Sequence, residues 1–444
     1  MSDRSSGYVT DVGYTLGYHP VLNPVNARLP FLRAGLAPPR VENACELGFG
    51  QGLSLAVHAA AGSARWWGCD LLPGHVATAR ALDGAAGSGS VLVEASFAEF
   101  AARTDLPPFD FIGLHGVLSW VSAENRTLIA AFLRDRLAPR GVVYTGYNAL
   151  AGWAEMLPLR RLMADHAARA GTAGDTVARI RVALEFTAQL LDTHPLATRA
   201  LPGVQNRFER LRMADPRYLA HEYFNRDWVP LDFTTVADLM ATAGLRHIAP
   251  AQLRDSLDDL VLAPSQRALL AGIADPCLRE TVRDFMMGTQ VRRDYWARDV
   301  GHFDDVALAD AWRATRLVLV TPRADIPERV SGPLGELRLD SAAHRTVLDA
   351  LADHQPRALG TLSGADVLAD AAFELAACGH LAVAQDEADQ FRATPRALRL
   401  NALLMEPGGG FSEADVLASP VTGGGVARGP RPLLAALGAV PVVI

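Results

Sequence analysis

The stretch Val41-Glu42-Asn43-Ala44-Cys45-Glu46-Leu47-Gly48-Phe49-Gly50-Gln51-Gly52-Leu53-Ser54-Leu55-Ala56 decides how this chain is read. Its first part, ending in Glu46-Leu47, predicts a strand, Gly48 to Gly52 a tight turn, and Leu53 to Ala61 an alanine-rich helix. Glycine at alternate positions removes three Cβ atoms, so the backbone can bend sharply and a ligand can lie on it beside the free amides of a helix N-terminus. Such a turn binds something flat or extended. The spacing is G-x-G-x-G, which differs from the G-x-G-x-x-G of a dinucleotide site, and no lysine follows as a P-loop requires. The next strand, Arg65 to Asp70, ends in a carboxylate where a doubly wound sheet offers an acceptor to ribose hydroxyls.

Glu46-Leu47-Gly48-Phe49-Gly50-Gln51-Gly52 followed by Asp70 resembles the cofactor site of the class I S-adenosylmethionine-dependent methyltransferases. The resemblance implies an α/β fold, Rossmann-like, with a doubly wound seven-stranded sheet, and S-adenosyl-L-methionine as cofactor. The cofactor-binding set it implies is Tyr14, Glu46, Gly48, Gly50, Gly52, Asp70, Leu71, Ser96, Phe97 and His115. Many of these enzymes carry an aspartate for the adenine amino group where this chain has Ser96, with Phe97 beside it as an apolar face.

At 444 residues the chain exceeds one ordinary core, and about two or three domains are expected. No apolar run approaches the roughly 18 residues of a membrane span, and Asp3, Arg4 and Asp11 stand where a signal peptide needs an apolar core. A cytoplasmic location is the resulting expectation. A net charge of −7 argues against a nucleic-acid partner. Cys45, Cys69, Cys277 and Cys378 show no C-x-x-C spacing, so they read as small apolar residues with no disulfide or metal framework. All 42 basic residues are arginine; the chain has no lysine.

Ahead of the first strand, Gly13 to Pro24 places Tyr14, Tyr18 and His19 among glycines and prolines, a rigid irregular arm. In class I methyltransferases such residues fold over the cofactor, which makes these three candidates for its carboxylate end or the substrate mouth; an arm simply docked on the sheet is the other reading. The fourth strand, Phe109 to Leu114, is apolar enough to be buried on both faces. Its end, His115 to Val121 with Ser119 and Trp120, falls by topology at the carboxyl edge, where doubly wound sheets bind ligands. The fifth strand delivers Tyr147 and Asn148 to that edge, and Trp153 follows.

Residues 154–215 predict a helical insertion, long enough for a substrate lid, with breaks at Gly171, Gly174 and Pro202. Trp228 to Phe233, a helix from Thr235 to Ala243 and the run Gly244 to Ala249 resemble the last helix and closing antiparallel hairpin of a methyltransferase sheet, which ends the catalytic domain (1–255) near residue 255. Residues 256–310 then read as a charged helical regulatory or linker segment, in which Arg292 and Arg293 face solvent or bind acids, exposed helix charge being the favoured reading. Residues 311–444 read as a compact α+β, winged-helix-like accessory substrate module, its glycine-rich stretch 418–425 a loop.

Most of the chain resembles the bacterial group that includes protein-lysine methyltransferases acting on outer-membrane surface proteins, which implies a protein or peptide acceptor. Methyl transfer from a sulfonium is an in-line displacement, so the site must align groups and exclude water, and an amine acceptor must be neutral. The catalytic candidates are His115 at the fourth strand tip, Tyr18, Trp120 and Tyr147 as walls whose faces attract methylammonium, and Glu222 as an orienting acid. A small-molecule acceptor, and a cofactor-binding regulatory protein without turnover, are the competing readings.

Overall fold

The computed structural model describes residues 11–170, 174–199 and 201–441. Seven strands form one sheet: β1 (Asn43–Leu47), β2 (Arg65–Asp70), β3 (Val91–Glu94), β4 (Phe109–His115), β5 (Leu137–Asn148), β6 (Arg246–Pro250) and β7 (Val291–Ala297). Their order is β3-β2-β1-β4-β5-β7-β6, and β7 alone runs antiparallel, pairing with β5 on one side and β6 on the other. This is the class I methyltransferase sheet.

The helices that cover it early in the chain are α1 (Arg28–Arg33), α2 (Leu53–Ala61), α3 (Pro73–Ala86), α4 (Phe97–Ala101) and α5 (Ala123–Arg136). Strand side chains alternate between faces. Ile112, Val143 and Trp296 therefore meet Ile129 and Leu133 of α5 and Phe233 and Val236 of the helix Phe233–Thr242. Phe111, Tyr144 and Tyr295 on the other face meet Phe31 of α1, Leu55 of α2 and Ala79 of α3. The strands read as near-continuous apolar runs because both faces are covered.

The sheet does not close by residue 255 as expected. Trp228 to Phe233 contributes only an isolated bridge from Leu231 to Ala149, and Asp232 instead caps the next helix by accepting from the Thr235 N–H at 2.8 Å. The seventh strand comes from 291–297, after the short helices of 253–287, so the segment expected to be a separate helical linker is threaded back into the sheet.

Arg292 is accordingly not exposed. It is 5 % accessible, and its guanidinium contacts Asp294 at 2.8 and 3.0 Å, Glu280 at 2.9 Å and Asp284 at 3.2 Å while lying over the Phe233 ring. Burial alone would raise the Asp294 carboxyl, but Arg292 and His247 outweigh it and hold that group below the usual carboxylate range. A run of charge that reads as a solvated helix face is thus an ion cluster formed where β7 packs against the helix Pro276–Met287.

Helices Leu157–Arg169, Thr176–Asp192, Pro202–Arg212 and Pro216–Glu222 form the insertion, with a core of Met163, Ile180, Phe208 and Leu219 that also takes in Trp120, Trp153 and Trp228. Gly171, one of the predicted breaks, lies outside the described residues. Further on, Arg357–Ala358, Arg316–Leu319 and Leu381–Val383 make a three-stranded antiparallel sheet carrying the helices Ala342–Ala350 and Ala369–Ala377. The chain then returns to the catalytic sheet's own helices. Helix Glu387–Leu404 and a hairpin of Val416–Ser419 with Gly424–Ala427 bury Leu400, Leu404, Val416 and Val426 against Leu53, Val57 and Ala60 of α2. The stretch expected as a glycine-rich loop is this hairpin.

Removing one partner of a buried ion cluster leaves the others uncompensated. Arg292→Met is expected to lower the unfolding free energy by about 3 to 5 kcal/mol in urea titration. A loss below about 1 kcal/mol would show that the acids around it do not depend on this cation.

Candidate functional site

A cavity of about 710 Å³ opens at the carboxyl ends of β1, β2, β4 and β5, walled by the arm around Tyr14–His19, the insertion from Arg207 to Tyr223, and β7 as far as Arg293. The glycine turn forms its floor. Gly48, Gly50 and Gly52 have φ of +69°, +58° and +76°, the region L side chains rarely adopt. Their tasks differ. A Cβ at Gly52 would lie 2.3 Å from that of Ala79, so this glycine lets α2 and α3 approach; one at Gly50 would meet nothing within 4 Å and would project into open space.

Asp70, at the tip of β2, accepts the Gly50 N–H at 2.8 Å and the Leu72 N–H at 3.0 Å. His75 Nδ1 stands 3.1 Å from the same carboxylate. Because His75 Nε2 accepts the Tyr14 N–H at 3.3 Å, the ring's proton sits on Nδ1 and is donated to Asp70. The Tyr14 hydroxyl donates to Glu222 Oε1 at 2.9 Å, and the Gln51 amide donates to the Tyr14 carbonyl. One arm residue therefore joins turn, strand tip and insertion. Burial pushes Glu222 up to about 7.

Glu46, at the end of β1, is 3 % accessible and its Oε2 has no hydrogen-bond partner among the described residues. Burial first, and then the charge of Asp70, push its carboxyl up to about 8. An orphaned buried acid calls for a donor or a cation. An adenosyl amino acid would supply one: its ribose diol suits Asp70, its ammonium suits Glu46, and the bare backbone at Gly50 admits close approach. The residues present fit S-adenosyl-L-methionine.

The structure brings most of the expected site residues together. Tyr14, Glu46, Gly48, Gly50, Gly52, Asp70, Leu71, Ser96, Phe97, His115, Trp120, Tyr147 and Glu222 all line the cavity. The Ser96 side chain is engaged in a capping box with Glu99 at the start of α4. His115 Nδ1 lies 2.8 Å from the Tyr144 hydroxyl and its ring packs against that of His19, tilted by 32° at 3.9 Å between centroids; burial, then the charges of His19 and Arg293, hold it well below the usual imidazole range. Tyr147 is a wall only, since its hydroxyl donates to Asp294 at 3.3 Å across the sheet.

Tyr18 is not in the cavity. Its hydroxyl accepts the Gly425 N–H at 2.6 Å and lies 3.1 Å from His58 Nε2, and burial pushes it far up, so it is a docking residue between the arm and the C-terminal hairpin. Gly425 is tied to it: a Cβ there would come within 2.6 Å of the Tyr18 ring. Sequence reasoning missed His75, Arg207, Arg210 and Arg293, all cavity-lining. For His75 the signal was its place one helical turn beyond Asp70.

Gly50→Val should leave the chain folded, at a cost of about 1 to 2 kcal/mol for the left-handed backbone, and abolish S-adenosylhomocysteine binding by calorimetry. Retained binding would mean that no ligand approaches the turn.

A family model described as a predicted methyltransferase regulatory domain matches residues 215–298. The Synechocystis protein sll1526 is 35 % identical over 363 residues, covering 81 % of this chain and 71 % of that protein. RP028 of Rickettsia prowazekii is 31 % identical over 117 residues, 26 % of this chain and 45 % of that protein. Among solved structures, PKMT2 from Rickettsia typhi superposes with a TM-score of 0.66 at 18 % identity, covering 94 % of this chain and 86 % of that one. The same protein in complex with AdoHcy gives 0.62 at 20 % identity, with 83 % and 77 % covered. The chain has the class I methyltransferase fold, its residues 215–298 match the methyltransferase regulatory domain, and it belongs to the family of the Synechocystis protein sll1526.

Proposed function

We propose that the protein methylates the side-chain amine of lysine in a protein or peptide. The observation that carries this reading is the cavity itself: an acidic floor of Glu46 and Asp70 suited to the cofactor, and above it aromatic residues of the strand tips and insertion around one half-buried acid, Glu222. When bound, the cofactor supplies a methyl carbon on a sulfonium. The chain does the positioning: Asp70 takes the ribose hydroxyls, Glu46 the amino-acid ammonium, and Trp120, Tyr147, Trp153, Tyr218 and Tyr223 present faces or edges suited to an alkylamine and its methylated products. Glu222 is ionised only above about pH 7, and its carboxylate then accepts a hydrogen bond from the amine and leaves the lone pair in line for transfer.

The fold likeness to PKMT2, solved with AdoHcy, supports the cofactor assignment, and the resemblance to bacterial protein-lysine methyltransferases supports the acceptor. No residue beyond Arg293 lines the cavity among the described residues, so a substrate-holding role for the C-terminal module would act outside it. A cytoplasmic location is part of the proposal, in keeping with four unpaired cysteines. No helix among the described residues is long and apolar enough to cross a membrane.

Two measurements check these roles. Glu46 is protonated in the free protein below about pH 8, and an incoming ammonium lowers its pKa, so S-adenosylhomocysteine binding at pH 7 should release a proton and tighten as pH rises toward 8. Calorimetry in buffers of different ionisation enthalpy reads that release. Its persistence in Glu46→Gln would assign the proton elsewhere.

Given methyl-labelled cofactor and lysine-containing protein extract, the purified enzyme should place label on lysine. Because it has no lysine of its own, the enzyme cannot contribute to that signal. Label found only in the small-molecule fraction would overturn the acceptor. Glu222→Gln should lower kcat at least about tenfold with S-adenosylhomocysteine affinity unchanged, and should remove the rise in rate through pH 7.

A further inference from the structure

Strand β7 alternates. Arg292 and Asp294 point to the face covered by α5, and Arg293 points to the opposite face, into the cavity. Across the sheet Arg293 is the register partner of Gly146 on β5, which is itself the partner of His115 on β4. These three positions form one row on one face. Gly146 keeps the row open, because a Cβ there would stand 2.8 Å from both His115 Nδ1 and the Tyr144 hydroxyl.

The row carries an uneven charge. Burial first, and then the nearby Arg293, lower His19 to about 4, and His115 is also held low, so both of these adjoining rings are neutral near pH 7. Arg293 itself is half-buried, and no hydrogen bond or ion pair joins its side chain to any described residue. Asp255 feels its charge without forming an ion pair with it. The cavity's other arginines, Arg207 and Arg210, belong to the insertion, and Arg207 is engaged with the Gly152 carbonyl and the Trp153 ring.

On the same face lies Glu46, the register partner of Gly113, two residues before His115. From β1 to β7 this face therefore reads acid, neutral imidazoles, open glycine, arginine. An α-amino acid zwitterion matches that order, with its ammonium toward Glu46 and its carboxylate toward Arg293. A guanidinium fork is suited to bidentate recognition of a carboxylate.

We infer that Arg293 binds the α-carboxylate of the cofactor, making β7 part of the cofactor site. The inference rests on the cofactor reading above. Calorimetry with two ligands tests it: S-adenosylhomocysteine, and S-adenosyl-3-thiopropylamine, which keeps the amine and lacks only the carboxylate. Arg293→Met should weaken the first by about ten- to a hundredfold and the second by less than about twofold. Arg293→Lys, which keeps the charge and loses the fork, should show a smaller loss with the same ligand selectivity, and it carries the test if the methionine variant does not fold. Equal losses for both ligands would assign Arg293 a structural role, and no loss would overturn the contact while leaving the cofactor reading intact. A wild-type protein that binds neither ligand would sink both.

Discussion

Everything at the site depends on one hydrogen bond, from the Gly50 N–H to Asp70 Oδ2 at 2.8 Å. It closes the glycine turn onto the tip of the neighbouring strand and fixes the distance between bare backbone and carboxylate. The same carboxylate takes His75, and His75 takes the arm through the Tyr14 amide. Such a bond works as a constraint more than as a source of stability, because its net worth is only about 1.5 to 3 kcal/mol for a charged acceptor. What it secures is preorganisation: an acceptor held before any ligand arrives loses little freedom on binding. The oriented network leaves Glu46 beside it buried and, among the described residues, without a partner on Oε2, an acceptor suited to a donor or a cation.

Strand β7 shows how the period of two in a sheet separates structure from chemistry. Arg292 and Arg293 are adjacent in sequence and identical in type, yet one pairs with buried Asp284 and Asp294 and half-buried Glu280 and the other faces a cavity. A shift of register by one residue would exchange them, stranding the acids and filling the cavity wall with Asp294. The many contacts of Arg292 therefore have a second effect beyond their energy. They pin the register that aims its neighbour.

How much of this was legible in the sequence follows from how local each feature is. The strand, turn and helix around Gly48 to Gly52, and Asp70 at the next strand tip, could be read because each is specified within a few residues and by glycine chemistry that few other contexts require. The partners that decide β7 could not. Arg293 gains its place from Gly146 and Arg292 from the fold of 280–294 against Phe233, and a dense charge run read alone favours an exposed helix. Tyr18 failed for the same reason in the opposite direction. Its residue type and its neighbours suit a cofactor cover, but its hydroxyl is claimed by Gly425, 407 residues later. Tyr147 lines the cavity, and the direction of its hydroxyl follows from Asp294 on a strand that the sequence does not reveal.

The regulatory segment, 215–298, is on these terms no appendage to the catalytic sheet. It begins in the helix that carries Glu222 to the Tyr14 hydroxyl, and it ends in the strand that completes the sheet and carries Arg293 to the cavity. Both of its ends thus touch the same space, from opposite walls, while its middle is held by the Arg292 cluster and by the packing of Phe233 and Val236 on the sheet. An arm residue that contacts Glu222 also contacts His75 and Gln51. A ligand that draws on Asp70 and a ligand that draws on Glu222 would therefore act on one hydrogen-bonded chain, Gly50 to Asp70 to His75 to Tyr14 to Glu222. Coupling between two such sites requires that each bias the same element, and here that element is the arm.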